Sequence, residues 1–105
     1  MKNVLTNRIF RNLGGERFTS SIGAHNLVAD DDLLTFQIPR NATSANRVKV
    51  YFDRPRDRYH VEFLRDDRRN GRTSFVAEAR GLNAASLLRY IGDTSGLTST
   101  LSRAA

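Results

Sequence analysis

Two runs of strict two-residue alternation between residues 47 and 64 limit the fold more than any other part of the chain. In residues 48 to 52 the apolar Val48, Val50 and Phe52 alternate with Lys49 and Tyr51. In residues 58 to 64, Tyr59, Val61 and Phe63 alternate with His60 and Glu62. Period two sends one set of side chains to a core and the other away from it, so both runs read as half-buried strands. The intervening Arg54-Pro55-Arg56-Asp57 puts proline where a type I turn wants its fixed φ, which suits a four-residue hairpin loop. That loop sets a register. Phe52 faces Tyr59, Val50 faces Val61 and Val48 faces Phe63 on the core side. Asp53 faces Arg58, Tyr51 faces His60 and Lys49 faces Glu62 on the other, with two opposite-charge pairs expected there.

A third strand is expected over residues 73 to 80, with Phe75, Ala77 and Ala79 as its apolar series. A two-residue Asn70-Gly71 turn would set Val61 and Phe63 against Arg80 and Glu78 and split the core between faces. The connection is therefore expected to hold an odd number of residues, either Arg69-Asn70-Gly71 or a longer loop starting near Asp67. A helix follows, N-capped by Asn83 and stapled by Leu82 and Leu87. Its apolar face is Ala84, Leu87, Leu88 and Ile91, and Gly92 is its expected stop.

Upstream, Leu34, Phe36 and Ile38 alternate up to Pro39 and predict another strand, and residues 16 to 22, ERFTSSI, are a candidate for a further one. Residues 4 to 13 carry a helical stripe of Val4, Leu5, Ile9, Phe10 and Leu13, and residues 40 to 46 form a polar connection. The whole reads as one small α+β domain over residues 1 to 92: an antiparallel sheet of three to five strands with a C-terminal helix packed on one face. Residues 47 to 91 are its core, and a Ser/Thr-rich tail from Asp93 to Ala105 is expected to be flexible or docked through Leu97 and Leu101.

With no cysteine, the chain can form neither disulfides nor a Cys-based zinc site. It shows no apolar run long enough for a signal peptide or a membrane span, so an intracellular protein of the cytoplasm, nucleoid or nucleus is expected, and the Asn41-Ala42-Thr43 glycosylation sequon is read as coincidence. No cofactor is expected. Neither is a metal: Asp30-Asp31-Asp32 reads as a turn and strand entry without EF-hand spacing, His25 stands alone, and Gly14-Gly15 lacks a phosphate-loop pattern.

The net charge of +6 rests on 17 basic residues of which only Lys2 and Lys49 are lysine, and arginine is the side chain best suited to forked contacts with phosphate and carboxylate. Arginines left over from strand pairing stand in the two turns, Arg54 and Arg56 at one end, Arg68, Arg69 and Arg72 at the other. The first expectation is a non-enzymatic nucleic-acid-binding or regulatory protein whose turn arginines contact phosphates of DNA or RNA while Tyr51, His60 and Arg80 approach the bases. The second is a protein-binding module for an acidic or partly apolar surface, using Leu64 and Val76 on the outer sheet face; the cover expected for them is the N-terminal segment, ahead of a second copy in a homodimer or another protein. The third is a small ribonuclease with His60 as proton shuttle, Glu62 as carboxylate and Arg58 as the cation for phosphorane charge.

Over residues 47 to 91 the strand-strand-strand-helix order resembles that of plant-type three-stranded DNA-binding domains and of the arm-binding domains of tyrosine integrases, which implies a DNA-reading sheet. Double-stranded RNA-binding domains share a similar order, but the basic start of their last helix is replaced here by Leu82-Asn83-Ala84-Ala85-Ser86.

Overall fold

The computed structural model describes residues 4–97. Three helices and five strands follow one another: α1 (Arg8–Leu13), α2 (Glu16–Ile22), β1 (His25–Asp30), β2 (Leu33–Gln37), β3 (Arg47–Asp53), β4 (Arg58–Asp67), β5 (Arg72–Leu82) and α3 (Ala84–Ser95), with a single 3-10 turn, Val4–Thr6, in front. The strands form one antiparallel meander in sequence order. This is the expected α+β class at its upper strand number.

The alternation decides what each face does. Leu34, Phe36, Val48, Val50, Phe52, Tyr59, Val61 and Phe63 point to one side, where they join Ile9, Phe10 and Leu13 of α1, Phe18 and Ile22 of α2, and Leu87 and Ile91 of α3 in one core. All three helices therefore lie on the same face, with α1 against β2, β3 and α3, and α3 across β4 and β5. The N-terminal segment was expected to cover the outer face. It helps to close the inner one instead, because a five-stranded sheet is wider than α3 can cover alone. Among the described residues the outer face has no covering element.

The β3–β4 hairpin has the expected register at every position from Asp53↔Arg58 to Val48↔Phe63, with the four-residue turn. Asp57 takes a positive φ of 53° to close it. In β4–β5 the inner pairs are Val61↔Ala79 and Phe63↔Ala77, so Ala77 and Ala79 face the core as expected, but the connection is not the odd loop expected. Its loop is even, four residues between the Asp67↔Arg72 pair, with Gly71 at φ 66° and its N–H on the Asp67 carbonyl at 2.9 Å. A β-bulge between Phe63↔Ala77 and Leu64↔Phe75 then supplies the missing residue, Val76. One extra residue inverts the faces beyond it: Phe75, expected in the core, is 70% exposed, and Val76, expected outside, packs against the core. A second bulge lies at Arg80 and Gly81, between Val61↔Ala79 and Tyr59↔Leu82. β5 is an edge strand, and two bulges make it a poor template for another chain.

Residues 16 to 22 are helical, not extended. Phe18 and Ile22 are four apart and both buried, which is one face of a helix, and Gly14 and Gly15 at positive φ turn the chain between α1 and α2. β1, unforeseen as a strand, pairs through Ala29↔Leu34 and meets β2 over the two-residue turn Asp31-Asp32. Asn7 caps α1 and ties it to that turn: its Oδ1 accepts from Phe10 N–H, and its Nδ2 donates to the carbonyls of Asp30 (2.8 Å) and Leu33 (3.2 Å). Asn41 organises the β2–β3 connection in the same manner, accepting from Thr43 N–H and donating to the carbonyls of Pro39 and Ala45. Asn83 caps α3 as expected, accepting from Ser86 N–H at 2.8 Å. The helix does not stop at Gly92; it runs to Ser95, whose hydroxyl donates to the Ile91 carbonyl, and Gly96 is its cap. Leu97 docks on the core, whereas Leu101 lies outside the described residues.

Candidate functional site

The two turns that bear arginines differ in charge. At the β3–β4 end the cations are Arg54, Arg56 and Arg58 and the acids are Asp32, Asp53 and Asp57, three of each. Arg54 Nε lies 2.6 Å from Asp32 Oδ2, and Arg56 pairs with Asp53 at 3.0 Å. The hydrogen bond that Arg54 donates to Asp32, and then the charge of that carboxylate, push the Arg54 pKa above its ordinary value. Arg58, expected to pair with Asp53 across the strands, donates to the Asp57 carbonyl instead, since Arg56 has already engaged that carboxylate. This end is electrically balanced.

The β4–β5 end is not. Arg65, Arg68, Arg69 and Arg72 are all exposed, and among the described residues none of them is in an ion pair. Two acids stand in this segment. Asp66 is ion-paired with Arg47, whose Nη2 donates to Oδ1 at 3.0 Å and whose Nε lies 2.8 Å from Oδ2, and it also accepts from the Thr73 hydroxyl. Asp67 accepts the Arg69 backbone N–H at 2.9 Å. With Asp66 cancelled by Arg47, four cations face one free carboxylate. Beside them, His25, Gln37, Asn46, Arg65, Arg68 and Arg69 line a hollow of about 430 Å³. Arg65 was not among the residues singled out in the sequence; the signal was available, since Arg65 stands only three residues ahead of the Arg68-Arg69 pair.

The middle of the outer face holds a different arrangement. His60 and Glu62 are two apart on β4, and Glu78 of β5 stands directly opposite Glu62. His60 Nε2 is 3.1 Å from Glu78 Oε2 and 3.7 Å from Glu62 Oε2. Tyr51 stacks on the imidazole with ring centroids 5.4 Å apart, and its hydroxyl donates to Glu62 Oε1 at 3.2 Å. Lys49, opposite Glu62 in register as expected, lies over the Tyr51 ring rather than on the carboxylate. Arg80 is mostly exposed and stands 3.9 Å from Glu78. The His, carboxylate and Arg of a ribonuclease centre are thus only partly assembled: His60 is flanked by two carboxylates, while Arg58 is committed to the turn. Arg58, Arg80, Tyr51 and His60 do share the lining of a depression of about 700 Å³.

The apolar pair expected on this face is rearranged. Leu64 is on it but only 4% exposed, and Val76 has turned to the core through the bulge. The exposed apolar residues of the sheet are Phe75 and, toward the β1 edge, Val28.

No protein-family model matches the chain, and neither a curated protein nor a solved structure matches it. The expected strand-strand-strand-helix order is present as β3, β4, β5 and α3, with β1 and β2 ahead of the hairpin. No helix among the described residues is long and apolar enough to cross a membrane.

Proposed function

We propose that this chain is a small non-enzymatic nucleic-acid-binding protein that holds phosphates with the β4–β5 end of its sheet, through Arg65, Arg68, Arg69 and Arg72. The observation that carries this reading is the contrast between the two turns, one balanced by Asp32, Asp53 and Asp57, the other keeping four exposed arginines without ion pairs among the described residues. Unpaired arginines on a rigid hairpin suit the forked, charge-assisted contacts that phosphate oxygens accept. The net charge of +6 adds long-range attraction for a polyanion. Arg54 and Arg56 are weaker contributors, since each would have to leave a carboxylate. Tyr51, stacked and hydrogen-bonded, has little freedom to meet a base.

The test is anisotropy titration of labelled duplex DNA, single-stranded DNA and RNA over a range of salt. Four arginine contacts on a duplex give a log-log salt slope of about −3.6, at about −0.9 per phosphate. Replacing Arg68, Arg69 and Arg72 with Ser should bring that slope to about −1, and replacing Arg54 and Arg56 should leave it nearly unchanged. Equal losses from both turns would mean that the ion pairs at the first turn do not hold those arginines back. No binding of any of the three nucleic acids at low salt would end the proposal.

A further inference from the structure

The strongest chemical constellation outside the arginine turn is the trio at the centre of the open face. We propose that His60, Glu62 and Glu78 form a binding site for one divalent first-row transition-metal ion, Zn²⁺ best matching the donor set.

The sheet itself builds the trio. Spacing by two along β4 puts His60 and Glu62 on one side, and the Glu62↔Glu78 register brings the second carboxylate to the same place from β5. One donor atom from each residue lies within 4.8 Å of the others. Metal–ligand bonds of about 2.1 Å around a tetrahedral ion separate the donors by about 3.4 Å. The two distances from His60 Nε2, 3.1 and 3.7 Å, bracket that spacing, so rotamer adjustments rather than backbone shifts would complete the shell.

Electrostatics favour an ion at this point. Like charges directly opposite each other on neighbouring strands are destabilising. Here two carboxylates converge on one imidazole nitrogen, and a single N–H cannot serve both. Lys49, which could have neutralised Glu62, stands over Tyr51 instead. A divalent cation between the three donors satisfies both carboxylates together.

The surroundings match those of a held ligand set. The Tyr51 ring stacks on His60, and the Tyr51 hydroxyl occupies Glu62 Oε1, leaving Oε2, the oxygen nearer His60, for an ion. Such outer partners fix the orientation of metal ligands. The Glu62 side chain is 13% exposed and that of His60 24%, so both are shielded, while Glu78 at 45% leaves the site open to solvent. Three protein ligands with an open side describe a site whose remaining position goes to water or to an exogenous donor. One imidazole and two carboxylates, with no thiolate in the chain, favour Zn²⁺ or Mn²⁺ over Cu(I).

The experiment is calorimetric titration of the full-length, metal-free chain with ZnCl₂ in a non-chelating buffer, with Co²⁺ as a spectroscopic probe in parallel. One saturable equivalent per chain is expected, with visible Co²⁺ absorption bands. His60→Ala and the isosteric Glu78→Gln should each weaken binding by about tenfold or more, since loss of even an outer partner costs that much. His25→Ala, which removes the remaining histidine, should change nothing. Thermal melts of the metal-free variants check folding, and Glu78→Gln carries the test alone should His60→Ala not fold. Absence of saturable Zn²⁺ binding in the wild type, binding that survives Glu78→Gln undiminished, or loss of the site in His25→Ala would each overturn the proposal.

Discussion

Replacing Asn7 tests whether α1 is pinned to the sheet by one side chain. Asn7 is 6% exposed and makes three hydrogen bonds with it: Oδ1 accepts from Phe10 N–H at 3.0 Å, and Nδ2 donates to the Asp30 and Leu33 carbonyls at 2.8 and 3.2 Å. In Asn7→Ala the lost cap costs about 1 kcal/mol. Each of the two lost side-chain hydrogen bonds to a carbonyl costs about 1 kcal/mol more, the usual net contribution of one such bond. The sum is about 3 kcal/mol, a large fraction of the roughly 5–15 kcal/mol that holds a domain together. Urea denaturation followed by circular dichroism would report it as a lower midpoint at unchanged slope. Asn7→Asp is the sharper variant. Aspartate caps a helix as well as asparagine does, but it has no N–H to offer and sets a carboxylate against two carbonyl oxygens. It should therefore destabilise at least as much as alanine. If Asn7→Asp proved as stable as the wild type, the reasoning would be refuted, because the cap alone would then account for Asn7.

Three further outcomes follow from the geometry. Phe75→Ser should change stability by less than about 0.5 kcal/mol, as for exposed positions generally, while Val76→Ser should cost about 1 kcal/mol through lost packing; the reverse order in chemical denaturation would mean that the bulge is misplaced. Phe63→Ala, at a fully buried site where β4, β5 and α3 meet, should cost about 3–5 kcal/mol in the same assay, and a loss under about 1 kcal/mol would contradict the single-core description. Tyr59→Phe removes the hydroxyl that accepts from Asn12 Nδ2 at 2.5 Å and should lower stability by about 1 kcal/mol; a double-mutant cycle with Asn12→Ala showing no coupling would count against that bond.

The β3–β4 hairpin was legible because local signals agree there. Alternation, the Pro55 turn and the cross-strand order all specify one register, and a two-residue side-chain period leaves no neighbouring register with the same faces. The cap at Asn83 was legible for a similar reason, since capping needs only a side chain and the N–H three residues on. α2 was misread because seven residues hold fewer than two helical turns, so Phe18 and Ile22 alone carried the helical signal. β1 escaped because its single buried residue, Ala29, leaves almost no alternation to detect.

What the amino-acid sequence determined by itself is therefore the inward set of β2, β3 and β4, the central hairpin and its charge-rich turns, all of which depend on contacts within about a dozen residues. The tertiary structure decided what depends on chain segments distant in sequence. It put all three helices on one face, because a five-stranded sheet offers more apolar width than one helix can cover. It placed the bulge at Val76, which keeps Ala77 and Ala79 inside while turning Phe75 out. It also sorted equal-looking arginines into neutralised and free ones, since Asp32 reaches Arg54 from 22 residues away and Arg47 reaches Asp66 from 19. Side chains so far apart share no local pattern; only the assembled sheet brings their charges within range of one another.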